Sequence, residues 1–467
     1  MKEGIFPDDV RKSVVVGVLS LGAFLTLSGP SIAGEPASEP AAVVKDAAPA
    51  FAKDIAPIFQ AKCEACHRKD SIAPMSLVSY QETRPWAKAI KERVLLRQMP
   101  PWHIDKTVGI QSFQNDRSLT DEQIDAIVRW VDAGAPLGDA KDMPPPKQWM
   151  DGDGWQLSKQ FGPPDLIIKS DPYTMPAHGQ DMWLKPLTEI PLAEPRWVRA
   201  AEIRPSTPAG RRITHHVLAQ LLQDESEAQS NRPIGAPPPP PGGAGLLMEW
   251  AVGKNYDVHR ANTGKLLLPG SKIRWEFHIH AVGEPISDHV ELAVYLYPKA
   301  ETPKYRTRLT LFWASPSFGA NIDIPPNSTA QTTYYTVLKA PGRLENFQPH
   351  MHLRGKAMAM EAILPDGATE MLSYADHFNF NWMTNYIYTD DAAPVLPKGT
   401  VIKVTAWYDN TTANPNNPDP NQWVGFGDRT VDEMGHAWVN VTYISEEDYK
   451  EWAAAHKGNA GLTAQKQ

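Results

Sequence analysis

The two cysteines of this chain, Cys63 and Cys66, stand three residues apart, and there are no others. They cannot supply a disulfide framework, so a chain of 467 residues must hold itself together by buried cores alone. That length suggests about two to four domains. A content of 42% hydrophobic and 21% charged residues is ordinary for a folded protein, and 44 prolines point to many turns and irregular connections. The formal net charge of −8 argues against nucleic acid as a partner, since no large basic surface is available.

The N-terminus has the form of an export signal. Arg11 and Lys12 precede an apolar run from Val14 to Leu27, Gly29-Pro30 breaks it, and Ser31-Ile32-Ala33 offers a small-x-small cleavage site. The run is shorter than the about 20 residues of a comfortable spanning helix. A signal peptide is therefore expected over 1–33 and a flexible Ala/Pro/Glu-rich linker over 34–50, with an uncleaved anchor as the alternative. The expected address is the bacterial periplasm or the extracellular side of the membrane. Membrane contact is expected only through the signal segment, if it is retained.

His67 follows Cys66 directly, and Cys63-Glu64-Ala65-Cys66-His67 is the pattern of covalent c-type haem attachment. Two thiols at this spacing add to the two haem vinyl groups, and the adjacent imidazole reaches the iron. Around the motif the sequence predicts helices. Ile55, Ile58 and Phe59 share one side of 52–62, and Trp86, Ile90, Val94 and Leu95 recur through 85–97. Thr120 with Gln123 opens a third helix carrying Ile124, Ile127, Val128 and Val131, which stops at Gly134. Met99, held between Gln98 and Pro100-Pro101, is the expected second axial ligand, with Met75 and then His103 as competitors. The motif resembles cytochrome c over 51–138, which implies an electron carrier with no open site on its iron.

Past a linker at 139–164 the sequence reads as strands, in one β-rich block over 165–328 and another over 329–447, before a tail at 448–467. The Pro237–Pro241 run with Gly242-Gly243 reads as a loop, and the acidic start of the tail as a solvated helix. Of 14 histidines, six fall into three pairs: His215-His216, His278/His280 and His350/His352. Residues two apart in a strand share a face, so His350 with His352, and His278 with His280, can each clamp one ion. Neighbours such as His215 and His216 converge only where the strand bends. With a Met at 434 and no spare thiolate, the donors suit mononuclear copper sites.

His215-His216-Val217, His278, the Pro349–Lys356 run around His350 and His352, and Asp432-Glu433-Met434 together resemble the copper type II, ascorbate-dependent monooxygenases. That family includes the peptidylglycine α-hydroxylating and dopamine β-hydroxylating enzymes. The resemblance covers 160–447 and implies two all-β jelly-roll sandwich domains with one copper on each, facing a solvent-filled cleft. The expected fold class is therefore mixed, a small all-α cytochrome c domain followed by those two sandwiches. One copper would take His215, His216 and His278 and store an electron. His278 is preferred over its alternative His280 because Gly283 and Asp288 stand where bacterial relatives have Gly and Asp after that ligand. The other copper would take His350, His352 and Met434 and activate O₂ beside the substrate.

The chain also departs from that family. Gln348 stands where peptide-hydroxylating members carry an Arg that grips the substrate carboxylate, Trp438 replaces a Tyr, and His436 replaces an Asn. Losing the cation removes a charge-assisted hydrogen bond of about 1.5–3 kcal/mol, which argues against a peptidylglycine substrate. The expected function is hydroxylation of a C–H bond in a small organic substrate by O₂, with electrons entering through haem from an ascorbate-like reductant or a redox protein. Fusion would replace a diffusional encounter with a high effective concentration. The rival reading is a non-catalytic electron-transfer or copper-handling protein. A zinc hydrolase is disfavoured because the sequence carries no HExxH motif.

Overall fold

The computed structural model describes residues 48–455, apart from 70, 72, 150–153, 226–243, 252–253, 317–320 and 383. The expected signal peptide, most of the linker after it, the Pro237–Pro241 loop and the end of the tail lie outside the described residues. The chain is mostly β with few helices.

The helices cluster near the start. A π-turn at Phe51–Ile55 runs into helix Ala56–Lys62, and helices Ala87–Leu95 and Asp121–Asp132 follow. Thr120 caps the last of these: its hydroxyl accepts from the Gln123 N–H while the Gln123 side chain accepts from the Thr120 N–H. Phe51, Ile55, Phe59, Ile90, Val94, Ile127 and Trp130 form the core of this helical region. Helix Ala87–Leu95 turns Ala87, Ile90 and Val94 inward at i, i+3 and i+7, which leaves Trp86 and Leu95 outside, 44% and 52% exposed. The sequence-based expectation that Trp86 and Leu95 face inward is therefore corrected. Trp130, fully buried against Phe51 and Phe59, takes the larger share of the packing.

Two large apolar cores fill the β-rich region. One gathers Val217, Trp275, Phe277, Leu292 and their neighbours, and the other Phe347, Met358, Tyr386, Tyr408 and Val441. A four-stranded antiparallel sheet of Thr329–Val337, Val401–Asp409, Gly355–Ile363 and Thr369–Ala375 covers the second. The expected division at 328/329 does not separate the hydrogen bonding. Strand Tyr305–Trp313, from the first β block, pairs with Gly435–Tyr443, from the second, from Arg306↔Tyr443 to Trp313↔His436. Composition along the chain cannot reveal such long-range pairing.

A second departure concerns residues 102–115, expected inside the helical domain. Trp102, Ile104 and Phe113 instead belong to the second β core. Trp102 packs edge-on to Tyr386 with ring centroids 4.7 Å apart, and β-bridges tie Ile104 to Ala375 and Phe113 to Tyr388. Asn115 closes the strap, donating to the Asn385 carbonyl at 2.7 Å and accepting from the Ile387 N–H at 3.1 Å. The apolar residues of this stretch follow no helical period, and Pro100-Pro101 interrupts any helix before it. They therefore find their burial on a distant stretch of the chain.

His103 sits within the strap. Its N–H donates to the Tyr386 hydroxyl and its carbonyl accepts from the Asp376 N–H. Burial, reinforced by nearby His377, holds its imidazole down at about 4. In the unfolded chain the ring protonates below about 6.5, so the unfolded state binds more protons between those values and stability falls with falling pH. The thermal midpoint of His103→Phe is expected to depend less steeply on pH between 6.5 and 4 than that of the wild type. Equal slopes in parallel melts would contradict the assignment.

Candidate metal centres

The first histidine group forms where a helix meets a strand. Helix Pro208–Ile213 runs directly into strand Thr214–Leu222, and the Thr214 hydroxyl donates back to the Gly210 carbonyl at 2.8 Å. The neighbouring strand Lys272–Ile279 pairs His278 with His216 but Ile279 with Thr214. His215 is thus the extra residue of a β-bulge, which re-aims its side chain. This is the bend needed for His215 and His216 to converge.

Ring centroids in the group lie 5.4 Å (His215–His216), 4.9 Å (His215–His278) and 5.1 Å (His216–His278) apart. Ligand atoms of the three all lie within 4.8 Å of one another. The two Nδ1 atoms of His215 and His216 face each other at 3.1 Å. His278 Nε2 meets the Asp181 carboxylate at 2.7 Å and its ring stacks on Trp183, leaving Nδ1 for an ion. His280 stands outside the group, its N–H donating to the Ile213 carbonyl. Burial lowers the pKa of each ring, His215 to about 3 and His216 well below its ordinary value, so all three are neutral and offer lone pairs at neutral pH.

Asp181 carries no signal in the sequence, because it lies 97 positions from the ring it orients. A carboxylate on the non-ligating nitrogen fixes a ligand's tautomer and raises its basicity. Asp181→Asn is expected to weaken metal binding here by about 10–100-fold in chelator competition, without loss of fold.

The second group is built on strand Asn346–Met351, which pairs with Gly435–Tyr443 so that His350 stands opposite His436. His352 follows the strand, its ring 5.3 Å from that of His350. Its Nδ1 lies 3.1 Å from the Asp432 carbonyl and so carries the proton, which leaves Nε2 free to bind an ion. Burial lowers the His352 pKa to about 4 and that of His350 well below its ordinary value. Met434 is half-buried beside them, its carbonyl accepting from the Tyr408 hydroxyl.

Glu433 organises this loop. Its side chain is fully buried and accepts from the N–H groups of His352 at 2.9 Å, Arg354 at 2.6 Å and Met434 at 3.2 Å. Burial pushes its carboxyl up to about 7 against those hydrogen bonds. The buried Arg354 guanidinium donates to the Val431 carbonyl at 2.7 Å. Gln348, also fully buried, donates to both oxygens of Glu249, at 3.0 and 2.8 Å. That position is committed to a buried contact with strand Ala244–Ala251, whatever the size of a substrate.

Phe380 joins the two groups. His215 stacks on its ring at 4.7 Å, and His352 meets the same ring edge-on at 5.9 Å. Phe380 is itself 9% exposed. One buried phenyl ring thus touches a histidine of each group. Its position in the loop Asp376–Phe380 carried no periodic signal.

In the helical region, Cys63, Cys66 and His67 share one turn, with the Cys66 and His67 N–H groups both donating to the Cys63 carbonyl. Both thiols are free, and burial pushes the Cys63 thiol up to about 12. His67 Nδ1 lies 3.2 Å from the Met75 carbonyl, an acceptor only, so Nδ1 is protonated and Nε2 keeps its lone pair. A c-type haem needs this arrangement of two unpaired thiols and an oriented imidazole, and the residues present fit it. Met75 packs on the helical core with its carbonyl committed to His67, whereas Met99 is half-buried beyond helix Ala87–Leu95. The imidazole donors likewise fit copper, and a thioether ligand such as Met434 would favour it over zinc.

No family model and no curated protein matches the chain. Among solved structures it is similar to the major capsid protein P2 of bacteriophage PM2, at 12% identity over 58% of this chain and 99% of that one, with a TM-score of 0.23. It is also similar to PNGF-II, at 8% identity over 60% and 66% of the two chains, with a TM-score of 0.25. The VP2 subviral particle of infectious bursal disease virus shows 12% identity over 61% and 73%, with a TM-score of 0.17. Likenesses at these scores carry no argument about function.

Proposed function

We propose that the chain is a copper-dependent monooxygenase that hydroxylates a C–H bond of a small organic substrate with O₂, its electrons supplied through a fused c-type haem. In this reading the helical region is a cytochrome c domain, and a pair of jelly-roll sandwiches makes up the β-rich remainder of an exported, periplasmic protein. The observation that carries it is the gathering of imidazoles from distant stretches of chain into two groups that both touch one phenyl ring. Copper at these groups would supply one-electron reduction of O₂ and removal of a substrate hydrogen atom, and haem on Cys63 and Cys66 would supply the electrons one at a time.

The chain's own residues do the rest. His215, His216 and His278 would hold the electron-storing ion, with Asp181 fixing the His278 ring. His350, His352 and Met434 would hold the ion at which O₂ is used. Glu433 keeps the backbone of His352 and Met434 in one arrangement, so that these two ligands move together. His67, its Nδ1 proton held by the Met75 carbonyl, would offer Nε2 to a haem iron, and Met99 would supply a second ligand. The strap 102–115 fastens the chain just after Met99 to the β core that also holds Phe347 and Met351.

Oxygen uptake by the haem- and copper-loaded protein, screened over small organic substrates with a reduced donor, tests this reading. Substrate-dependent uptake with a hydroxylated product is the expected result. The second reading, a non-catalytic electron-transfer or copper-handling protein, draws on the shielding of both groups, with His278, His350 and His352 between 3% and 9% exposed. It expects copper loading without uptake.

A further inference from the structure

We propose that His436 is a third imidazole donor of the second centre, so that its ion is held by His350, His352 and His436 with the Met434 thioether as a further ligand. The inference rests on the metal reading above and changes the donor set it assigned.

His436 is buried, 2% exposed, and neither Nδ1 nor Nε2 has a hydrogen-bond partner. A buried polar group left in that state costs about 1–3 kcal/mol, and buried side-chain polar atoms mostly find partners. Its walls explain the isolation. Trp313 and Trp438 pack on its ring at 4.8 and 4.9 Å, and the Trp438 indole N–H is a donor only, itself without a partner. His350 also faces it, directly opposite in the strand register, with ring centroids 4.7 Å apart.

That spacing is the one two ligands of a single ion would show. When each nitrogen lies about 2.0–2.1 Å from the ion, neighbouring ring centroids fall about 4.5–5.5 Å apart. The first group spans 4.9 to 5.4 Å, and the His350–His352 and His350–His436 pairs span 5.3 and 4.7 Å. Residues directly opposite in an antiparallel pair share a face of the sheet, which puts His436 on the same side as His350. Among the described residues only the first group has all its ligand atoms within 4.8 Å, and the His350 and His436 rings are stacked 30° from parallel, so the second would have to close on an ion by rotation of its rings. The rival role for His436 is aromatic packing between the two tryptophans, which a phenyl ring would fill equally well.

The test uses the full haem-loaded chain carrying His215→Ala and His216→Ala, which leaves only the second centre to take Cu(II). Pulsed EPR of this protein is expected to show couplings from three imidazoles, and a count of two would overturn the proposal while leaving the metal reading intact. Adding His436→Phe is expected to reduce the count to two and to weaken Cu(II) binding about 10–100-fold in chelator competition. Unchanged couplings and affinity would overturn it in the same way. If the His215→Ala/His216→Ala protein binds no copper although the wild type does, the second centre itself fails, and the inference with it. If the wild type binds none, the whole metal reading fails.

Discussion

Replacing Glu433 with alanine is expected to destabilise the folded protein by ~3–5 kcal/mol and to abolish metal retention at the second centre. The buried carboxyl accepts from the His352 and Arg354 N–H groups, in the loop between strand Asn346–Met351 and strand Gly355–Ile363, and from the neighbouring Met434 N–H. Alanine leaves all three orphaned and removes the negative charge that faces the buried Arg354. Glu433→Gln keeps one carbonyl oxygen at the same place and should lose about 1–2 kcal/mol. Denaturant unfolding of the two variants checks the order. Equal stability of alanine and glutamine would mean that the carboxylate does not organise the loop.

Replacing His350 with alanine is expected to reduce substrate-dependent oxygen uptake to background while leaving the haem spectrum unchanged. The ring lies in the sheet between its neighbours His352 and His436, and its loss breaks the chain of imidazoles at the centre. The opened space should cost ~2–4 kcal/mol of stability, by analogy with other large-to-small core changes. A concurrent melt separates this from a failure to fold. Uptake at the wild-type rate from a protein that still melts cooperatively would remove the second centre from the reaction.

Local patterns in the sequence are sufficient where chemistry depends on spacing along one segment. Cys63, Cys66 and His67 occupy one helical turn, and the capping residues Thr120 and Gln123 open the helix they announce. The paired histidines are visible for the same reason. What stays hidden depends on contacts across the chain. The bulge that turns His215 beside His216 follows from pairing with Lys272–Ile279, and no pattern within Thr214–Leu222 announces it. Asp181 and Phe380 meet rings, and Glu433 backbone N–H groups, far away in sequence, so no periodicity marks them. Trp102, Ile104 and Phe113 read as members of a helical domain because they lie between two helices, yet they bury themselves in the β core.

His436 shows the limit most clearly. In the sequence it is a departure from a family pattern, and the strand register turns that departure into a neighbour of His350 with no other partner. Exchange of an amide for an imidazole at that position would add a nitrogen to the donor set, which favours Cu(II) and makes the ion harder to lose.

The central claim is tested most directly by counting metal and haem in the full chain produced where c-type haem is assembled. The account predicts one haem that stays attached after denaturation and two copper ions per chain, falling to one copper in His215→Ala/His216→Ala. A protein that carries its haem but binds no copper, or binds it at a ratio unaffected by those substitutions, would contradict it.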